Sequence, residues 1–108
     1  MGSFDGEIFD DDGYPADEFL GFIASWDFKR GFDELMVFAM KGHTYRDRVD
    51  RTVQDEKAVW TISTGGWSGN ESIICALMEN TLFWMMCWVQ SRRGGHYIFE
   101  CRLDQKQV

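Results

Sequence analysis

The sequence predicts a single α+β domain, in which two N-terminal helices precede a strand, a helix and two further strands that form a small mixed three-stranded sheet. Three observations predict this class. The chain has 108 residues, and 44% of them are hydrophobic, which is enough to bury a core. Apolar residues recur at helical spacing before residue 42, and strand-like patterns appear from residue 59 onward. We expect residues 1–13 to form an acidic, irregular arm and residues 14–108 to form the domain.

The two predicted helices follow from apolar spacing and end signals. Pro15 suits a first helical position, and Asp17 and Glu18 suit the first turn. The apolar face of this helix repeats at i, i+3, i+4 and i+7 through Phe19, Phe22, Ile23 and Trp26. A second helix is predicted over residues 32–41, and Gly42 is expected to end it in a left-handed conformation.

Residues 43–57 mix charges of both signs. This composition is typical of a solvated connection or a short polar helix between the two halves of the domain. Because acids interleave with bases, the segment does not form a basic patch, and we do not expect direct binding to nucleic acid.

The second half of the chain predicts the sheet. Residues 59–63 are β-branched and aromatic, hence a strand. Ser68 and Glu71 match a capping box that begins a helix, and Asn80 suits its end. Residues 82–90 are apolar on both faces, which indicates a central strand that is either covered on both sides or packed at an interface. We expect this strand to run parallel to residues 59–63 after a right-handed crossover. Residues 91–95 are predicted to form a turn. Apolar and polar side chains then alternate over residues 96–103, which predicts a strand.

The charge of the chain is local. The net charge is −7, but seven of the 18 acids lie in residues 1–18 with no Lys or Arg, so the other 90 residues hold 11 acids and 11 bases. A protein that imitates nucleic acid spreads anionic charge over an extended face, which this chain does not. The acidic stretch is interpreted as a solvated tail together with the acids of a helix N-terminus.

Other classes are excluded by the apolar runs. The longest run, residues 82–89, has eight residues, whereas a membrane span needs about 20. The N-terminus lacks the layout of a signal peptide. We therefore expect a cytoplasmic protein that does not contact membranes.

The cysteines and histidines predict no metal site. The sequence has no C-x-x-C pair, and His43 and His96 lie far apart, whereas zinc ligands come in closely spaced pairs. Each cysteine sits in an apolar stretch, so we expect Cys75, Cys87 and Cys101 to be free thiols, with at least two of them buried. We expect no cofactor.

A glycine-rich turn over residues 63–71 is the first candidate site. A strand-to-helix turn of this kind directs backbone N–H groups and a helix N-terminus at one point, which suits an anion. The turn matches neither a Walker A loop nor G-x-G-x-x-G, and Asn70 stands where a G-x-S-x-G elbow needs glycine. Ser68 is therefore interpreted as a cap. An enzyme that uses Ser68, Glu71 and His96 ranks last among the hypotheses, and we assign no catalytic residue.

The second candidate site is the turn that contains Arg92 and Arg93. It is either a solvated turn whose glycines supply positive φ, or an arginine grip on phosphate or carboxylate. If the two predicted strands are parallel, both turns emerge side by side at one sheet edge. We predict a shared surface for an anion or an acidic partner group, made by Gly66, Trp67, Asn70, Arg92, Arg93 and His96. The alternative is that Glu71 pairs with one arginine and the edge is structural.

Residues 64–100 carry a resemblance to a known family. A T-G-G-W-S-G-N-E turn, a short helix, a tryptophan-rich strand and an S-R-R-G-G-H-Y hairpin follow one another in this order. This pattern resembles a family of small uncharacterised proteins encoded by bacteriophages and prophages. The resemblance covers roughly the last half of the chain. It implies a phage-encoded accessory product acting in the host cytoplasm, with host-directed or defence-countering activity.

Two hypotheses for function follow. The first is a non-enzymatic accessory protein that binds a host or phage macromolecule, most simply a protein, since the five tryptophans include potential interface anchors. The alternative is a small anion- or nucleotide-binding domain that uses the turn from Gly65 to Asn70 with Arg92 or Arg93.

Overall fold

The computed structural model describes residues 4–44 and 48–103. It confirms the α+β class. The α-helices of the described residues are α1 (Asp17–Ala24), α2 (Phe32–Ala39), α3 (Ser68–Glu79) and α4 (Thr81–Cys87), and short 3₁₀ turns lie at Phe28–Arg30 and Met40–Gly42. The strands are β1 (Val49–Gln54), β2 (Lys57–Ser63), β3 (Trp88–Arg92) and β4 (His96–Arg102).

In the described residues, the sheet has four strands in the order β1-β2-β4-β3, and every neighbouring pair is antiparallel. The prediction of a mixed sheet of three strands is therefore wrong. On the helix-facing side, Trp60 of β2 lies opposite Phe99 of β4, and Ala58 lies opposite Cys101. On the other side, Val59, Thr61 and Ser63 remain at least partly exposed. The helices thus cover one face of the sheet and leave the other open.

The additional strand, β1, lies within the segment that we interpreted as a connection or a polar helix. Asp55 and Glu56 both have positive φ, at 53° and 63°, and form the tight turn of a β1–β2 hairpin. Nearly all of β1 is exposed because it is an edge strand. An edge strand does not need alternating apolar residues, so its mixed-charge composition concealed it.

β1 is joined to the helical layer through Asp33 of α2. The Asp33 carboxylate accepts hydrogen bonds from Arg51 Nε at 3.1 Å and Nη2 at 2.7 Å, and from Trp60 Nε1 at 2.9 Å. The hydrogen bond to Asp33 raises the pKa of Arg51 above its ordinary value. This bidentate contact between Arg51 and Asp33 holds β1 in place, although β1 has little apolar surface to bury.

Residues 82–90 do not form the predicted central strand. They contain helix α4 and the start of β3, which is an edge strand. Strand β4 separates β3 from β2, so the predicted parallel pair and crossover do not occur. Helix α4 buries Phe83 and Cys87 and exposes Leu82, Met85 and Met86. An apolar run of this length is compatible with either a strand or a helix, and the apolar outer face of α4 made it look buried on both sides.

The core lies between the helices and the sheet. Phe83 of α4 contacts Phe32 of α2 at 5.3 Å and Phe99 of β4 at 5.4 Å between ring centroids, and all three rings are fully buried. Such aromatic pairs are stabilising beyond the area that they bury. The largest fully buried side chains also include Phe19, Ile23, Leu35, Met36, Ile62, Ile73 and Leu77.

The described part of the N-terminal arm packs against this core. The Phe4 ring lies 5.3 Å from Phe22 and 5.4 Å from Phe38. Ala16 N donates to Ile8 O at 2.8 Å, and Pro15 precedes helix α1 rather than opening it. Gly42 does not have the expected left-handed φ; a side chain there would instead collide with the buried Phe19 ring.

The cysteines occupy two environments. Cys87 and Cys101 are buried, as predicted, and Cys75 is exposed; all three are free thiols. Contact with the Cys87 thiol and burial raise the pKa of Cys101.

We expect one thiol to react rapidly with an aromatic disulfide reagent in the folded protein and three to react in denaturant, because buried thiols react only when the structure opens. The two buried thiols should react at least about 100-fold more slowly than Cys75. The Cys75→Ser variant should lose the fast reaction. A second fast thiol in the folded wild type would contradict the burial of Cys87 and Cys101.

Candidate functional site

The two glycine-rich turns lie side by side at one end of the sheet. Thr64 N donates to Gly95 O at 2.9 Å. Strands β2 and β3 both run antiparallel to β4, so they point the same way and end at the same edge. The predicted proximity of the turns is therefore present, although the parallel pairing from which it was derived is not.

A row of three side chains crosses the open face beside these turns. Ser63 is paired with His96, and His96 is paired with Arg92, in the registers of neighbouring strands. Ser63 Oγ and His96 Nδ1 form a hydrogen bond of 2.6 Å, and Arg92 Nε donates to Gln90 Oε1 at 2.8 Å. Ser63 was not among the predicted site residues; only the antiparallel register places it beside His96.

Asn70 does not belong to this surface. It is fully buried, its Oδ1 accepts from Thr44 N at 2.9 Å, and its Nδ2 donates to Thr64 O at 2.9 Å. These two hydrogen bonds hold the glycine-rich turn from the buried side. The prediction that Asn70 contacts a ligand or partner is corrected accordingly, because its amide is used within the fold.

Gly66 and Trp67 lie at the outer side of the first turn. Gly66 is exposed and has a φ of 77°, and Trp67 is half-buried. The Trp67 ring lies 5.1 Å from the Tyr14 ring and covers Gly69, where a side chain would collide with it. Trp67 thus joins Tyr14, the residue that follows the arm, to the start of α3.

Glu71 does not form the predicted capping box. The N-cap residue of α3 is Trp67, without a side-chain bond, and Glu71 Oε2 accepts from Thr64 Oγ1 at 3.1 Å. Burial raises the pKa of Tyr97, and the charge of Glu71 raises it further. In the part of the chain that the structure describes, no ion pair links Glu71 to Arg92 or Arg93. The Glu71 carboxylate therefore lies between the two turns, where its negative charge disfavours anion binding.

The described residues contain no cluster of three or more His, Cys, Asp or Glu side chains that could hold a metal ion. His43 is buried and contacts Ser63 O through Nε2 at 3.0 Å. Within residues 4–44 and 48–103, no helix is long and apolar enough to cross a membrane.

A second surface consists of Leu82, Met85, Met86, Trp88 and Val89, and is called here the α4–β3 surface. These side chains are 39–75% exposed, with Met85 the most exposed. Among the described residues, twelve large hydrophobic side chains are exposed, and five of them lie in this stretch of eight residues. Residues 80–91 include no charged side chain. Such concentrated exposed apolar area is typical of an interaction site.

Two contacts hold the Trp88 side chain of the α4–β3 surface in place. The rings of Trp84 and Trp88 stack at 5.9 Å, and Trp88 Nε1 donates to Ser91 Oγ at 2.8 Å. The sequence predicts a strand over these residues, so it does not identify the exposed face of a helix there. The signal that could have found it is Asn80, which caps α4 by accepting from Phe83 N at 3.3 Å.

Comparison with family models, with curated proteins and with solved structures found no match to this chain.

Proposed function

We propose that this chain is a non-enzymatic accessory protein of a bacteriophage or prophage that binds a host or phage protein through the α4–β3 surface. The exposed, uncharged stretch from Leu82 to Val89 carries the proposal, since burying these side chains against a partner removes a large apolar area from water. Methionine side chains adapt to irregular partner surfaces, which suits Met85 and Met86 to this role. The resemblance of residues 64–100 supports the phage origin and a host-directed, defence-countering action.

The geometry gives less support to the alternative, a small anion- or nucleotide-binding domain. Arg92 and His96 face the open side near Gly66, which favours an anion there. However, Asn70 is committed to internal hydrogen bonds, and the Glu71 carboxylate lies between the two turns. We therefore favour protein binding over anion or nucleotide binding.

The Met85→Glu variant tests the proposed function. A carboxylate at the centre of an apolar interface must be desolvated, so we expect binding to weaken at least about tenfold. Met85 is 75% exposed, so the melting temperature should change little. The measurement is quantitative capture from a bacterial lysate on the immobilised full chain.

Val53→Glu is the matched control, since Val53 is 53% exposed on the distant edge strand β1. A partner should be retained by the wild type and by the control and be lost from Met85→Glu. Retention profiles that are identical for all three proteins would overturn the proposed function.

A further inference from the structure

Helices α1 and α3 run side by side in the same direction. Near their starts, the Tyr14 and Trp67 rings lie 5.1 Å apart. At their ends, Asn80 Nδ2 donates to Ile23 O and Trp26 O at 3.1 Å each. An open groove of about 570 Å³ lies between the two helices and is called here the α1–α3 groove. Its lining includes Leu20, Gly21, Ser72, Cys75 and Ala76, with Asp17 and Glu79.

Gly21 leaves this groove open. It lies in the interior of α1 and is exposed. Apart from its chain neighbours and its own helix backbone, no heavy atom of the described residues lies within 4 Å of the position that a Cβ would take. Gly42 and Gly69, by contrast, each lie against a ring that a side chain would hit. Glycine inside a helix is destabilising relative to alanine. Close packing does not explain this glycine, whereas access to the groove does.

The charge of the groove favours a cationic occupant. Asp17 and Glu79 are both exposed. Because α3 rises about 16 Å over its length, these two carboxylates lie toward opposite ends of the groove. Residues 1–28 and residues 58–91 contain no Lys or Arg. No ion pair among the described residues involves a carboxylate of the groove. A nucleic acid would be repelled by these carboxylates, whereas a basic protein segment is attracted.

The third carboxylate of the groove, Glu71, is not counted as a contact for a partner. Its Oε2 accepts from Thr64 Oγ1 at 3.1 Å and lies 3.5 Å from the position of a Cβ at Gly95. Gly95 closes the turn that contains Arg92 and Arg93. Those two cations reduce the negative potential near Glu71.

We propose that the α1–α3 groove binds a short segment of a partner protein in which Lys or Arg residues flank an apolar stretch. The apolar stretch covers Leu20, Gly21 and Ala76. The flanking cations pair with Asp17 and Glu79, and their aliphatic stems pack along the walls of the groove. This site goes beyond the proposed function, because it shares no residue with the α4–β3 surface.

A steric variant, Gly21→Leu, tests the site on the full-length chain. The probe is a synthetic peptide from a random twelve-residue display library selected on the wild type, in which we expect enrichment of Lys or Arg on both sides of an apolar centre. Gly21→Leu should raise the Kd of this peptide at least about tenfold, because the leucine occupies the groove. The melting temperature should not fall, since leucine favours a helix and meets open space.

A charge reversal, Asp17→Lys with Glu79→Lys, should also raise the Kd at least about tenfold. It weakens the start of one helix and strengthens the end of the other, so stability should change little. The matched control, Asp50→Lys with Glu56→Lys, makes the same charge change on the β1–β2 hairpin and should leave the Kd within about threefold.

The Cys75 thiol reports occupancy directly, since it is exposed and lines the groove. Saturating peptide should slow its reaction with an aromatic disulfide reagent at least about tenfold. An unchanged rate would place the peptide elsewhere and overturn the inference.

A library without basic enrichment, a Kd unchanged in Gly21→Leu, or equal weakening by both charge reversals would also overturn it. So would wild-type dimers that Gly21→Leu dissociates, detected by light scattering, or binding of spermidine alone with the same dependence on Gly21. Met85→Glu should leave the Kd within about twofold. If Met85→Glu abolishes peptide binding, the peptide occupies the α4–β3 surface, so this inference fails and the proposed function stands.

Discussion

Replacement of Asn80 by alanine is expected to lower the free energy of unfolding by about 3 kcal/mol, because this one side chain joins three segments. Asn80 is buried, and its Nδ2 donates to Ile23 O and Trp26 O at 3.1 Å each, while its Oδ1 accepts from Phe83 N. Alanine removes the cap of α4 and the donor that reaches the end of α1. The melting temperature should fall by roughly 10–20 °C, measured by circular dichroism and urea unfolding.

Two control variants test which hydrogen bonds of Asn80 account for the loss of stability in Asn80→Ala. Asn80→Asp keeps an acceptor for Phe83 N but loses the donated bonds and buries a charge, so it should destabilise at least as much as alanine at neutral pH. Thr81→Ala changes the exposed neighbouring residue and should cost less than about 0.5 kcal/mol. A loss below about 1 kcal/mol for Asn80→Ala would show that the bridge between α1 and α4 contributes little.

Asn80 also shows how far the sequence could predict this fold. Its identity indicates a helix boundary and predicts the end of the preceding helix. The structure uses it as the end of α3 and the cap of α4 at once. Once residues 82–87 are helical, β3 is left with only five residues at the sheet edge. The error over residues 82–90 therefore follows from a single ambiguous residue and an apolar run that fits either structure.

The same limit applies to the two candidate surfaces: the sequence predicts where the turns lie but not which side chains are exposed. Local sequence identified both glycine turns because glycine marks turns wherever they lie in a fold. It did not distinguish the exposed Arg92 from the buried Asn70, because burial depends on tertiary contacts such as Thr44 N to Asn70 Oδ1. Exposure of Met85 and Met86 likewise depends on which face of α4 meets the core. The sequence therefore does not show which of these apolar side chains are exposed.

The close approach of the two turns predicts a second large effect at Gly95. This residue has a φ of 80°, and a side chain there would collide with Thr64 Oγ1. Gly94 has a similar φ of 86°, but its nearest neighbours are His96 side-chain atoms at 3.4–3.5 Å. Both alanine variants incur a left-handed backbone cost of about 1–2 kcal/mol. Gly95→Ala adds a steric cost of about 1–3 kcal/mol, since it overpacks a buried neighbour.

A double-mutant cycle isolates the steric part of this effect. In the Thr64→Ala background the obstructing hydroxyl is absent, so Gly95→Ala should cost only the backbone strain, close to the value for Gly94→Ala. Urea unfolding of the four proteins of the cycle, with Gly94→Ala alongside, measures the coupling directly. A coupling energy of at least about 1 kcal/mol is expected, because Thr64 and Gly95 are in contact. Equal losses for Gly94→Ala and Gly95→Ala, with no coupling to Thr64, would mean that the turns do not meet. The shared edge that holds Gly66, Arg92 and His96 near one another would then not exist in solution.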